Sequence, residues 1–215
     1  MSLINIANLT FCYDGSYDPI FENVSFRIDT DWKLGFTGRN GRGKTTFLQL
    51  VMGKYEYTGT ISASVGFDYF PFEVGDKTLN TAEVVQEIAP DFEPWRLSRE
   101  LSLLQVGEDV LERSFCTLSN GEQTKVLLAS LFLKENNFLL IDEPTNHLDA
   151  AARKIVSEYL KGKSGFILVS HDRDFLDNCV DHILSINRTN IEIQKGNFSS
   201  WLHNKELQDG AELAE

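Results

Sequence analysis

Two stretches near the start of the chain, Ile4 to Phe11 and Phe21 to Ile28, alternate apolar and polar residues in part. Between them lies the turn-forming run Asp14-Gly15-Ser16-Tyr17-Asp18-Pro19. A period of two marks a strand with one buried face, so the chain is predicted to open with an antiparallel, hairpin-like pair. Lys33-Leu34-Gly35-Phe36-Thr37 reads as a third strand, and Thr45 to Met52 as a helix closed by Gly53. Two more strands are expected over 58–63 and 65–70, before Pro71 and Gly75 interrupt the chain.

From Thr81 the apolar spacing becomes helical. Thr81 is the expected N-cap of a helix ending before Pro90; a second runs from Pro94 to Val106, stopped by Gly107, and a short one lies near Asp109 to Arg113. An α/β alternation then resumes: helix 119–134, strand Phe138 to Ile141, helix 149–161, strand Phe166 to Ser170, helix 172–178, and strands near 182–186 and 191–195. A last helix is predicted to start with Ser199 as its cap and run towards Leu207. The unbroken apolar runs Phe138-Leu139-Leu140-Ile141 and Phe166-Ile167-Leu168-Val169 suit strands buried on both faces of a mainly parallel sheet. The fold class is therefore α/β, with an N-terminal antiparallel β subdomain and an inserted helical subdomain over about 78–134.

Composition narrows this picture. A chain of 215 residues, 42% of them hydrophobic, suits one α/β domain with a subdomain. No apolar run approaches the roughly 18 residues that span a bilayer, and no basic-then-apolar leader is evident at the N-terminus. Cys12, Cys116 and Cys179 form no CxxC and leave one unpaired in any disulfide scheme, which fits a reduced, cytoplasmic setting. The formal net charge is −12, and eleven acids against three bases fall between Asp68 and Glu112. That segment reads as a solvated acidic face, or as a surface that meets a basic partner; it gives no support to direct nucleic-acid binding.

The stretch Gly38-Arg39-Asn40-Gly41-Arg42-Gly43-Lys44-Thr45-Thr46 is G-x-x-x-x-G-K-[ST], set between a predicted strand and a predicted helix. Glycines let successive N–H groups curl around one hollow, and the helix N-terminus adds positive potential. Lys44 is suited to the β- and γ-phosphates and the Thr45 hydroxyl to Mg²⁺, so the motif implies a nucleoside triphosphate site. The apolar strand Phe138 to Ile141 ends in Asp142 and Glu143. In a P-loop protein the first such acid holds the metal and the second polarises the attacking water. Leu118-Ser119-Asn120-Gly121-Glu122-Gln123 carries a capping box, Ser119 with Glu122, ahead of a helix with Val126, Leu127 and Leu131 on its apolar stripe.

The order P-loop, LSNGEQ, FLLIDEP and then Val169-Ser170-His171-Asp172 resembles an ABC-type ATPase domain over nearly the whole chain. The resemblance implies ATP and Mg²⁺ as cofactors. It makes Ser119, Asn120, Gly121 and Glu122 a signature segment that contacts nucleotide bound on a second ATPase domain, and His171 a switch histidine at the γ-phosphate. Tyr13 resembles the aromatic that stacks on adenine, with Phe11 and Tyr17 as alternatives. Glu143-Pro144-Thr145-Asn146-His147-Leu148-Asp149, His171-Asp172-Arg173-Asp174-Phe175-Leu176-Asp177 and the ending Gly196-Asn197-Phe198-Ser199-Ser200-Trp201 are similar to the ABC-F branch. Its members are soluble, carry two ATPase domains and act on ribosomes, some of them protecting ribosomes from antibiotics. The resemblance thus implies an N-terminal ATPase half cut just inside a linker helix that begins near 198. Its partners would be a second ATPase domain and, through the full-length protein, the ribosome.

Two departures stand out. The family's Q-loop glutamine is expected where Phe70 stands, and Asn120 replaces the first glycine of LSGGQ. Asparagine tolerates positive φ better than most residues, which would preserve a glycine-like path. The roles expected are Thr45 and Asp142 on the metal, Glu143 on water, and Lys44 and His171 on the transferring charge, with slow turnover in the isolated domain. Two other readings are a membrane transporter's ATPase subunit, against which Phe70 and the Asn146-His147 pair argue, and a nucleotide-dependent clamp without appreciable turnover.

Overall fold

In the computed structural model, residues 2–38, 41–187 and 190–212 are described. The opening strands β1 (Leu3–Phe11) and β2 (Phe21–Asp29) pair antiparallel, and β4 (Thr58–Ser62) pairs antiparallel with the other edge of β1. The register of β1 shifts around Asn8, which has a φ of 52°, and Gly59 lies opposite. A Cβ on Gly59 would sit 2.4 Å from the Asn8 carbonyl oxygen, so only glycine lets β4 pass the bulge.

The main sheet has the order β5-β6-β7-β3-β8-β9. Its strands are β3 (Lys33–Gly38), β5 (Gly66–Phe70), β6 (Asn137–Asp142), β7 (Phe166–Val169), β8 (His182–Asn187) and β9 (Asn190–Lys195). All neighbours run parallel except β8 and β9. The continuous apolar runs divide between two cores by the pleat. Phe138, Leu140, Ile167 and Val169 face one core with β1, β2 and the helix α1 (Gly41–Val51); Leu139, Ile141, Phe166 and Leu168 face the other, with the remaining helices. Burial on both faces is thus what the sequence pattern encodes.

The second core is roofed by α2 (Thr81–Ile88), α3 (Pro94–Leu103), α4 (Asn120–Leu133), α5 (Ala150–Lys161), α6 (Arg173–Cys179) and α7 (Phe198–Glu212). Helix α4 is buried from Lys125 to Leu131, well beyond the single stripe expected. Several boundaries differ from the sequence reading. Helix α1 begins at Gly41, inside the glycine loop. Asn80 caps α2, its N–H donating to Glu83 Oε2 at 2.9 Å, while Thr81 is buried and donates its hydroxyl to the Arg113 carbonyl. The short helix near 109–113 is a 3₁₀ turn, Glu108–Glu112, and a second spans Phe115–Thr117. Helix α7 starts at Phe198, with Asn197 Oδ1 accepting from the Ser200 N–H and hydroxyl at 3.0 and 2.8 Å. Ser199, expected as the cap, instead donates to Asp177 on α6. In each case two or three adjacent cap-forming residues competed, and tertiary partners chose among them.

A polar knot ties the helical layer to α5. Glu100 on α3, 7% exposed, accepts from the Tyr159 hydroxyl and lies 2.5 Å from Lys163 Nζ, which also sits over the Tyr159 and Phe132 rings. Removing one charge strands the other in a buried place, whereas removing both leaves little to compensate. Lys163→Met should destabilise the domain by about 3 kcal/mol in denaturant titration, and Lys163→Met with Glu100→Gln should recover most of it.

Candidate functional site

Strands β6, β7 and β3 are consecutive in the sheet and parallel, so their carboxyl ends bring three loops to one edge. Strand β3 delivers the glycine loop and α1; β6 delivers Asp142 and Glu143; β7 leads to Ser170 and His171. Arg39 and Asn40 lie outside the described residues, while Gly41 and Arg42 form the first turn of α1. Gly38 runs close beneath β8: a Cβ there would lie 3.1 Å from Ile186 Cβ. Gly43 is packed against the same isoleucine.

Lys44 is 8% exposed and donates from Nζ to the Gly38 carbonyl at 3.4 Å, folding back over its own loop. The Thr45 hydroxyl donates to Asp142 Oδ2 at 3.3 Å. Asp142 pairs across to Val169, and Glu143 follows with a φ of 48°, its N–H donating to the Val169 carbonyl. A non-glycine residue in the left-handed region costs on the order of 1 kcal/mol and is held there only by its surroundings. Here those surroundings are the β7 end: the His171 N–H donates to Glu143 Oε2 at 3.2 Å. His171 Nε2 lies 3.1 Å from Glu143 Oε1, an ion pair when the ring is protonated, and Oε1 is shielded from solvent with no hydrogen bond among the described residues. Burial pushes the Glu143 carboxyl above its ordinary range; the His171 N–H and charge, and Lys44, pull it back in part.

A shielded oxygen of a carboxyl raised above its ordinary range, accepting no hydrogen bond among the described residues, is suited to take a proton. Beside it, Thr45 and Asp142 offer hard oxygens of the kind Mg²⁺ takes. Among the described residues no cluster of three or more His, Cys, Asp or Glu surrounds them, so a cation would complete its shell from phosphate oxygens and water, as Mg²⁺ does. The residues fit that group.

Tyr13 reaches the same helix by another route. Its hydroxyl is 2.5 Å from Thr46 Oγ1, and its ring stands edge-on to Phe11 and Tyr55. Of the alternative stacking aromatics, Phe11 is buried in the core and Tyr17 is fully exposed. The Ser119 segment is not drawn into this cluster. Ser119 Oγ accepts from the Glu122 N–H at 3.1 Å, and Glu122 reaches back to the Ser119 N–H and to Arg113, so the capping box forms as the spacing predicts. Ser119 and Asn120 face solvent at the start of α4.

Two expectations need correction. Asn120 is the first residue of α4 and is not among the described residues with positive φ, so its tolerance of that region is not called upon. Phe70 is not at the site. It is 4% exposed, lies in the helical core in register with Ile141, and helps wall a cavity of about 210 Å³ that Asn120 also borders. The pleat alternates faces, and the β5 residue on the Asp142 side is Tyr69, whose hydroxyl donates to Asp142 Oδ2 at 2.6 Å. Tyr69 escaped the sequence reading because the lateral pairing of β5 with β6 is not written in either strand. A second contact of this kind is Arg153, which donates from Nε to the Leu148 carbonyl and pairs with Asp172, the cap of α6, binding together the loops that follow Glu143 and His171.

Comparison with known proteins agrees with this architecture. The profile of the ABC transporter family matches residues 21–146. ABC transporter F family member 5 of Arabidopsis thaliana is 28% identical over all of the chain and 33% of its own length. The Ribosome protection protein VmlR of Bacillus subtilis is 32% identical over 87% of the chain and 35% of its own. The chain therefore spans about a third of the length of these relatives. A bacterial ABC transporter cassette solved as a dimer superposes with a TM-score of 0.72 at 19% identity, covering 89% of this chain and 98% of that one. Glycine loop, paired acids, capped α4 and family profile agree: the chain belongs to the ABC transporter family, as an ATPase domain of its F branch.

Proposed function

We propose that this chain is the N-terminal ATPase half of a cytoplasmic F-branch protein that acts on the ribosome, as a translation factor or in antibiotic protection. The observation that carries the hydrolytic part is the shielded Oε1 of Glu143, which accepts no hydrogen bond among the described residues and lies 3.1 Å from His171 Nε2, beside the Thr45–Asp142 pair. The ribosomal part is supported by the likeness to a relative named as a ribosome protection protein. Relatives named as F-branch members favour this reading over a transporter subunit, and among the described residues no helix is long and apolar enough to cross a membrane.

In this reading the amides of the loop from Gly38 to Thr46 and Lys44 bind the phosphates of ATP, and Thr45 and Asp142 hold Mg²⁺. When bound, the metal neutralises phosphate charge. Glu143 orients the attacking water and takes its proton at Oε1, where burial has made the carboxylate more basic. His171, exposed and close to Glu143, faces the transferring group, and Tyr13 stacks on the base. Catalysis is positioning plus electrostatics. Ser119, Asn120, Gly121 and Glu122, turned outward on α4, contact nucleotide held by a second ATPase domain; the dimeric cassette of the same fold supports such pairing. One domain alone therefore turns over slowly.

Glu143→Gln in the full-length protein should keep ATP affinity and lower turnover by about 10²-fold or more in a phosphate-release assay. The wild-type rate should fall as pH drops through the raised Glu143 value, placing the acid limb above the ordinary carboxylate range; a limb at the unperturbed glutamate value contradicts the assignment. Full-length Glu143→Gln should co-sediment with ribosomes when ATP is present and stay in the supernatant without it. No pelleting under any nucleotide overturns the ribosomal reading.

A further inference from the structure

From the geometry we infer that Tyr69 is a positioning residue for the metal carboxylate Asp142, controlling cation affinity separately from nucleotide affinity; this rests on the nucleotide-site reading above. The phenol arrives from β5. Tyr69 is paired with Leu140, two residues before Asp142 on β6, so its side chain lies on the same face as the carboxylate and reaches along the strand to it. The contact at 2.6 Å is short for a hydroxyl donor and is made to a carboxyl oxygen, the kind of acceptor that forms the shorter O–H···O hydrogen bonds.

Its target matters more than its strength. Oδ2 of Asp142 accepts from both Tyr69 at 2.6 Å and Thr45 at 3.3 Å. Among the described residues no hydrogen bond reaches Oδ1. Two donors on one oxygen fix the carboxylate's rotation and leave its other oxygen uncommitted. Each hydroxyl has a single proton, and Thr45, by turning its own towards Asp142, presents its lone pairs elsewhere. That is the arrangement a small cation needs from a serine- or threonine-type ligand and an acid acting together.

The ring is held from the other side as well. Lys54 Nζ lies 5.7 Å from its centroid, and Lys54 itself is tied by its N–H to the Gln49 carbonyl on α1. The tyrosine is thus braced between the end of the helix that the glycine loop begins and the acid at the tip of β6. Losing the hydroxyl while keeping the ring would leave this packing intact and free the carboxylate to rotate. Groups that orient metal ligands in this way change metal affinity by about 10–100-fold when removed.

The test uses the 215-residue chain and Tyr69→Phe. ATP binding is first measured in EDTA, and Mn²⁺ is then titrated into the ATP complex and followed by electron paramagnetic resonance. Tyr69→Phe should bind ATP in EDTA within about twofold of wild type and need about tenfold more Mn²⁺ for half-saturation. In an Asp142→Asn background, adding Tyr69→Phe should change the Mn²⁺ midpoint no further. An unchanged midpoint in the single variant overturns the inference. So does an equal loss of ATP binding in EDTA, which would mark the hydroxyl as merely structural. If wild type fails to bind ATP in EDTA or with Mn²⁺, the nucleotide-site reading itself falls.

Discussion

Three parallel strands, β6, β7 and β3, are hydrogen-bonded side by side, and their ladder sets the spacing of everything at their carboxyl ends. Asp142 pairs with Val169, and Val169 with Phe36, two residues before Gly38. A slip of one residue along β6 would turn Asp142 into the helical core and bring Ile141 or Glu143 to its place beside Thr45. The slip is resisted because each strand presents apolar side chains to two different cores at once. Packing on both faces is therefore what holds the chemistry in register.

Much of this was legible from the residues. Continuous apolar runs ending in acids, a glycine loop between strand and helix, and a capping box three residues wide all carry their structure locally. The elements fell close to where the pattern put them. What the pattern could not supply was lateral order and phase. Nothing in Gly66–Phe70 says that β5 lies against β6, and counting along a motif put the residue of interest at Phe70, while the pleat turns Tyr69 to the site. The caps failed for a related reason. Ser199 and Thr81 are good caps in isolation, but Asp177 and the Arg113 carbonyl claim their hydroxyls, leaving Asn197 and Asn80 to begin the helices.

Glu143 shows the cost of a working site. It sits in a backbone region that few side chains occupy, keeps one oxygen without a hydrogen bond among the described residues, and is held less acidic than an exposed carboxyl. None of these favours the folded state. The knot of Glu100, Tyr159 and Lys163, on the far side of the sheet, has every group satisfied and binds a helix of the inserted layer to one of the main body.

The capping box at Ser119 has a consequence of another kind. The hydroxyl oxygen accepts an N–H from its own helix, which settles its orientation, and the residue is exposed to solvent. Glu122 is likewise fixed by the Ser119 amide and Arg113. The exposed face of α4 is therefore already ordered before anything arrives. Whatever docks there meets a surface with little conformational entropy left to lose, so its affinity reflects shape and charge and is not reduced by the cost of organising a loop.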